Sequence, residues 1–170
     1  MRQRHETWLG FPLTAAFAAL IEVAAKGRWA GSGVAAEALP RAGCQYAQQR
    51  GKVLRRGKVL GCLRPVSITL QETLLDPPCC VKLRLHWRLE PLDGGVYLML
   101  DVRYVLNGAA TLRRRHWGDR IHGHCARMVA GVGQRLADAR VQSGPPMGEH
   151  ASTAAVKSLA SRRVAQHHLK

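Results

Sequence analysis

Between Cys79 and Tyr104 apolar and polar residues alternate, and the alternation changes parity once. Val81, Leu83, Leu85, Trp87 and Leu89 stand at odd positions, with Lys82, Arg84, His86 and Arg88 between them. After "DGG" the apolar set moves to even positions: Val96, Leu98, Leu100, Val102, Tyr104 and Leu106. Strand side chains point to opposite faces with a period of two, so each half reads as a strand with one apolar face. A two-residue Gly94-Gly95 loop makes the pair a hairpin. In that register Asp93 opposes Val96, Leu89 opposes Leu100, Trp87 opposes Val102, Leu85 opposes Tyr104, and Arg88 opposes Asp101. Every apolar side chain then lies on one face of the ribbon. A slip of one residue would bury the charges, so the facing is strongly specified.

The rest of the chain supplies more strands and something to cover them. Leu13, Phe17, Leu20, Ile21 and Ala24 follow helical spacing between Pro12 and Gly27, a first-turn residue and a stop. Residues 27–43, rich in glycine, read as loop. "GKVL" occurs at Gly51 and at Gly57, too short for a repeat, and reads as two flanks of a turn. "CQYAQQRGKV" and "KVLGCL" read as strands of ambiguous face. In "VSITLQETLL" Val66, Ile68 and Leu70 alternate with polar residues until "DPP" ends the strand. Leu112, Trp117, Ile121, Cys125, Met128, Val132 and Leu136 then form one stripe of a long helix. Its four glycines, at 118, 123, 131 and 133, each cost up to ~1 kcal/mol relative to Ala. Such a helix needs a packing partner, and the apolar sheet face is the candidate.

At 170 residues the chain suits one domain with a sizeable core and needs no staple. Five cysteines, odd in number and without a C-x-x-C pair, argue against disulfide and zinc frameworks and for buried thiols in a cytoplasmic protein. No apolar run reaches the ~18 residues of a membrane span. Arg2 and Arg4 before "WLGFPLTAAFAALI" have the outline of an export signal, but Glu6 and Glu22 interrupt it, so the cytoplasm is the expected location. The net charge of +15 would attract nucleic acid, anionic lipid or acidic partners. With two Phe and three Tyr not interleaved with arginine, a base-stacking platform is not indicated.

The order of short segment, helix, antiparallel strands and terminal helix resembles the START-like, or SRPBCC, superfamily, whose members include the polyketide cyclase/dehydrase-like and birch-pollen-allergen-like proteins. The resemblance spans roughly Thr7 to Val141. It is carried by "VLGCLRPVSITLQETLLDPP", "VKLRLHWRLEPLDGGVYLMLDVRYVLNG" and the closing helix. It implies an α+β helix-grip fold, with a curved antiparallel β-sheet wrapped around a long C-terminal α-helix. A first strand would have to fall in "RQRHETWLG", where apolar alternation is poor. The domain would occupy residues 1–141, with 142–170 a flexible basic tail. The resemblance further implies a cavity between sheet and helix for a lipid, quinone, sterol or polyketide-like molecule; no cofactor and no metal are expected. Phe17, Ile68, Leu70, Leu85, Trp87, Leu100, Val102, Tyr104, Ile121, Cys125 and Met128 are the expected ligand-contacting residues.

Particular side chains raise chemical readings beside plainer ones. Glu72 continues the inward parity of Ile68 and Leu70, so it is either a cavity acid or base, or a rim carboxylate paired with an arginine; the second is preferred. Trp87 and Tyr104 face inward as ring-stacking groups or as core. A cyclase- or aromatase-like enzyme would use Glu72 and Tyr104 as its acid/base pair. His116, His122, His124 and Asp119 cluster in sequence, yet H-x-H does not fit a helical metal pair. Cys125 lacks an identifiable base. Arg113 to Arg115 open the long helix, where an anion would be favoured, but a solvated basic face is the simpler account. The leading expectation is a non-enzymatic carrier of a small hydrophobic ligand. The cyclase-like enzyme and a basic nucleic-acid or anionic-surface binder are the alternatives.

Overall fold

The computed structural model describes residues 1–25 and 41–142. Residues 26–40, which include most of the expected glycine-rich loop, and residues 143–170 of the expected tail lie outside the described residues. Met1–Ala137 form one compact unit. Of the second, Asp138–Lys170, only helical residues up to Gln142 are described.

The elements run β1 (Arg2–Leu9), α1 (Leu13–Ala25), β2 (Gln45–Arg50), β3 (Val53–Leu63), β4 (Ser67–Asp76), β5 (Cys79–Leu92), β6 (Gly95–Gly108) and α2 (Arg114–Gln142). The strands form one antiparallel sheet in the order β1-β6-β5-β4-β3-β2. With the long C-terminal helix this is an α+β, helix-grip-like arrangement.

The β5–β6 ribbon has the expected faces but not the expected register. Leu92 pairs with Gly95, so the loop is Asp93-Gly94, and Trp87 lies opposite Leu100, Leu89 opposite Leu98, Leu85 opposite Val102 and Leu83 opposite Tyr104. Arg88 faces Met99, and Asp101 faces His86. The register differs by two residues, which preserves side-chain parity. Two local demands decide between the glycines. Gly94 takes the left-handed conformation, φ +78°, that the turn requires. Gly95 is extended, and a Cβ there would collide with the backbone carbonyl of Leu9 at the end of β1. One glycine serves the turn and the other serves a neighbouring strand.

Three other expectations are revised. The β2–β3 turn sits at Gly51, φ +59°, while the second "GKVL" lies inside β3. Leu112 precedes α2 and is 88% exposed, so the buried stripe starts at Trp117 and gains Val129. Val66 stands outside β4 and is exposed. The N-terminal segment does form an edge strand on β6. Its inward positions are Gln3, His5, Thr7 and Leu9, only one of them aliphatic, which is why hydropathy alternation misses it.

Core residues come from all the main elements. Ile68, Leu70, Val81, Leu85, Trp87, Leu89, Val96, Leu98, Leu100 and Val102 are at most 1% exposed, and α2 contributes Trp117, Ile121, Cys125, Met128, Val132 and Leu136. The α1 helix packs on β5 and β6 through the face that carries Ala16, Phe17 and Leu20. The glycines of α2 mark close approaches: Gly131 lies against Val23 of α1, Gly133 against Leu9, and Gly118 against the Tyr104 hydroxyl. Glu22 and Arg135 form an ion pair between the two helices. The five cysteines form no disulfide, and no described helix is long and apolar enough to cross a membrane.

The opposite sheet face is basic. One row reads Arg2, Arg103, Arg84, Gln71, Lys58 across five strands, and the next reads Val105, Lys82, Thr73, Arg56. Asp101 is the focus of a small network there, with Arg2 at 2.9 Å, Arg4 at 3.1 Å and Arg88 at 3.8 Å. Partial burial alone would raise its pKa, but the hydrogen bonds and charges of Arg2 and Arg4 outweigh that and hold it below the ordinary carboxylate value.

Two histidines make stability depend on pH. His5 is buried beside the His122 ring, at 4.7 Å between centroids, and burial followed by the His122 charge lowers its pKa. His86 bonds Thr69 at 2.7 Å and is lowered by burial and then by Arg88. A lowered folded-state pKa means that, below about 6.5, the unfolded chain binds more protons than the folded one. Stability is therefore full above pH about 6.5 and falls as pH drops toward the folded-state values. Thermal unfolding at pH 7.5 and 5 should show a lower Tm at pH 5, and the double variant His5→Gln, His86→Asn should lose less between the two pH values. The variant Gly95→Ala should be destabilised by about 1–3 kcal/mol, because the Leu9 carbonyl has to move; an unchanged denaturation midpoint would contradict that contact.

Candidate functional site

One lateral row of inward-facing positions organises the site: Tyr46, Gly57, Glu72, Leu83 and Tyr104, on β2, β3, β4, β5 and β6 in turn. Tyr46 and Glu72 stand two strands apart, roughly 10 Å at their Cα atoms by ordinary strand spacing. Gly57 lies between them without a side chain, and a Cβ there would overlap the Tyr46 ring. The ring therefore lies over the glycine, and its hydroxyl donates to Glu72 Oε1 at 2.6 Å.

Glu72 is 2% exposed, so it is not at the rim as the preferred sequence reading had it. The arginine pairing in that reading is present: Arg55 Nε lies 3.6 Å from Glu72 Oε2. An Arg55 terminal nitrogen also lies 3.3 Å from His124 Nε2 on α2. A buried carboxylate without partners would be costly, and here a phenol and a guanidinium meet it.

This cluster borders a cavity of about 550 Å³ between the sheet and α2. Val53, Leu74, Leu83, Leu85, Trp117 and Ile121 supply its apolar wall. Gln48, Arg55, Glu72, Arg120, His124 and Arg127 supply its polar groups. Arg120 is held in place by Asp76 at 3.4 Å and by the Trp117 ring, 4.8 Å from its guanidinium carbon to the centroid. The volume falls within the roughly 300–1,000 Å³ of small-molecule sites, and the mixture of apolar wall and few polar groups matches them.

Of the expected contact residues, Leu85 and Ile121 line this cavity. Phe17, Ile68, Leu70, Trp87, Leu100, Val102, Tyr104, Cys125 and Met128 are buried in the packed core. Tyr104 shares the row of Glu72, but Leu83 stands between them and the Tyr104 hydroxyl turns toward Gln3 Nε2, 3.4 Å away, and Gly118. The structure does not bring the two onto one cavity; Tyr46 is the phenol at Glu72. The histidines also part. His124 lines the cavity, His116 stacks edge-on with Trp117, and His122 meets His5. Among the described residues no group of three His, Cys, Asp or Glu is placed to hold a metal. Arg114 and Arg115 border a separate, shallower recess of about 530 Å³ with Met1, Gln3 and Asp119.

Sequence reasoning missed Tyr46 and Arg55 because both lie in strands whose facing was ambiguous. It also passed over Arg120, His124 and Arg127 as one set. Their spacing of four and three residues beside Trp117 and Ile121 was the available signal.

No family model and no curated protein matches this sequence. Solved structures do match in fold. A protein from Geobacillus kaustophilus superposes with a TM-score of 0.63 at 13% identity, covering 82% of this chain and 97% of that one. An uncharacterized protein from Rhizobium leguminosarum gives 0.57 at 17% identity, with 81% and 95% covered. A protein of the dynemicin biosynthetic locus gives 0.50 at 13% identity, with 80% of this chain and 47% of that one covered. At these identities the likeness is one of fold.

The Tyr46–Glu72 contact is testable by a double-mutant cycle with Tyr46→Phe and Glu72→Gln. Tyr46→Phe alone should cost about 1–3 kcal/mol, as it withdraws a donor from a buried carboxylate. The pair should be non-additive by at least ~0.5 kcal/mol in urea unfolding. Strict additivity would mean that the hydroxyl does not bond Glu72 in solution.

Proposed function

We propose that this protein binds a small, largely apolar molecule in the cavity between β2–β5 and α2. The observation that carries the reading is the cavity itself, an apolar-walled space of about 550 Å³ with a few polar groups, Glu72 and Arg55 among them. α1 packs on β5 and β6, and the cavity lies over β2–β5. Burial of roughly 200 Å² of ligand apolar surface there would contribute ~5 kcal/mol at ~25 cal/mol per Å². A fold neighbour from a biosynthetic locus is compatible with a lipid, quinone, sterol or polyketide-like occupant.

A second reading is favoured by the short Tyr46–Glu72 hydrogen bond at the cavity wall. Acid/base chemistry of the cyclase or dehydratase type would use Glu72 as the proton acceptor, with Arg55 beside it and His124 against Arg55. In this reading Tyr46 takes the part expected of Tyr104.

Native mass spectrometry of freshly purified protein should reveal a co-purified molecule. A bound ligand at a hundred times its Kd should raise stability by ~2.7 kcal/mol, or about 5–10 °C in Tm. The cavity-filling variant Leu85→Trp should remain folded and lose that rise. A panel of sterols, quinones, fatty acids and aromatic polyketides that leaves the Tm of delipidated protein unchanged would overturn the binding reading.

A further inference from the structure

The cavity wall is not only apolar; its charges are unequal in sign. Arg55, Arg120 and Arg127 line it with His124, against the single carboxylate of Glu72. Two of the arginines are already engaged, Arg55 with Glu72 and Arg120 with Asp76. Arg127 has no carboxylate within ion-pair distance among the described residues. It is exposed, one helical turn beyond His124, which in turn lies one turn beyond Arg120. Arg120 and Arg127 form a cationic shoulder along the buried stripe of Trp117, Ile121 and Met128, and His124, whose Nε2 accepts from Arg55, stands between them.

From this arrangement we infer that the occupant is an amphiphile with one anionic group, a carboxylate, sulfonate or phosphate. The inference rests on the cavity reading above and specifies its ligand class. The apolar body lies against Leu74, Leu83, Leu85 and Ile121, and the anion rests at the Arg120–Arg127 shoulder. The geometry gives each part a reason. Arg120 is pinned by Asp76 and by the Trp117 ring, so little side-chain entropy is lost when it meets an anion. Arg127 brings a positive charge that no described carboxylate neutralises, and a guanidinium matches carboxylate and phosphate oxygens in bidentate fashion. Glu72 lies deeper, already bonded by Tyr46 and Arg55, so it repels a buried anion and favours one held outside, at the shoulder. A neutral ligand would use only the apolar wall and leave the shoulder without a role.

A matched probe pair tests this: anilinonaphthalene sulfonate and its neutral analogue phenylnaphthylamine, titrated by fluorescence into the full chain. The sulfonate should bind about five- to tenfold tighter, as expected of a partly exposed charge-assisted contact. Its advantage should shrink with added salt while the neutral probe is unaffected. Arg127→Gln should remove most of that margin and leave the neutral probe within about twofold. Arg84→Gln, on the far face of the sheet, should change neither. Leu85→Trp should block both probes. Equal affinity of the two probes, or a loss in Arg84→Gln as large as in Arg127→Gln, overturns the inference and leaves the cavity reading standing. If the neutral probe binds Leu85→Trp as well as it binds the native chain, the cavity reading fails, and this inference with it.

Discussion

The structure depends on keeping one face of the β5–β6 ribbon away from water. Ten side chains, from Val81 to Leu89 and from Val96 to Tyr104, lie on that face, and none is more than 5% exposed. A single ribbon cannot shield them, so the other elements are arranged as cover or as extension. β1 and β4 extend the ribbon on either side, α1 packs on β5 and β6, and the α2 stripe supplies the remaining layer. The glycines of α2 become intelligible in that light. At Gly118, Gly131 and Gly133 a side chain of another element comes within about 4 Å of where a Cβ would stand, so helix propensity is exchanged for closeness.

Where the cover is incomplete the protein turns polar. The row from Tyr46 to Tyr104 crosses the sheet at the end occupied by the cavity, and it carries a carboxylate where the neighbouring row carries Leu70 and Leu85. That carboxylate persists because a glycine on β3 lets a tyrosine from β2 reach it and because Arg55 lies within 4 Å. A buried carboxyl group needs such company, and Arg55 in turn meets His124, which lines the cavity.

The surplus of positive charge divides into two populations. Most described basic residues of the strands sit on the outward rows, where Asp101 draws in Arg2, Arg4 and Arg88 and the others are solvated. A smaller group, Arg55, Arg120 and Arg127, faces the cavity. Composition cannot separate the two, since +15 is a property of the whole chain. The pairing of strands does so, because it assigns each residue to a face.

The parity of β4, β5 and β6 and the stripe of α2 from Trp117 onward were legible in the sequence, and the order of elements, through its resemblance, implied the fold class. Parity and stripe are periodic signals carried by large apolar residues, and burial enforces them locally along one element. The sequence did not determine register, because Gly94-Gly95 and Asp93-Gly94 loops give the same faces; the left-handed turn at Gly94 and the approach of Leu9 to Gly95 separate them. Periodicity did not reveal β1, whose inward side chains are mostly polar and which only the resemblance placed, or the partners of Glu72. Tyr46 and Arg55 lie 26 and 17 positions from Glu72 in the chain, His124, which meets Arg55, lies 52 away, and no periodicity links them. Their meeting is settled by which strands pair and where α2 lies over them, and those are long-range contacts that only the folded chain makes.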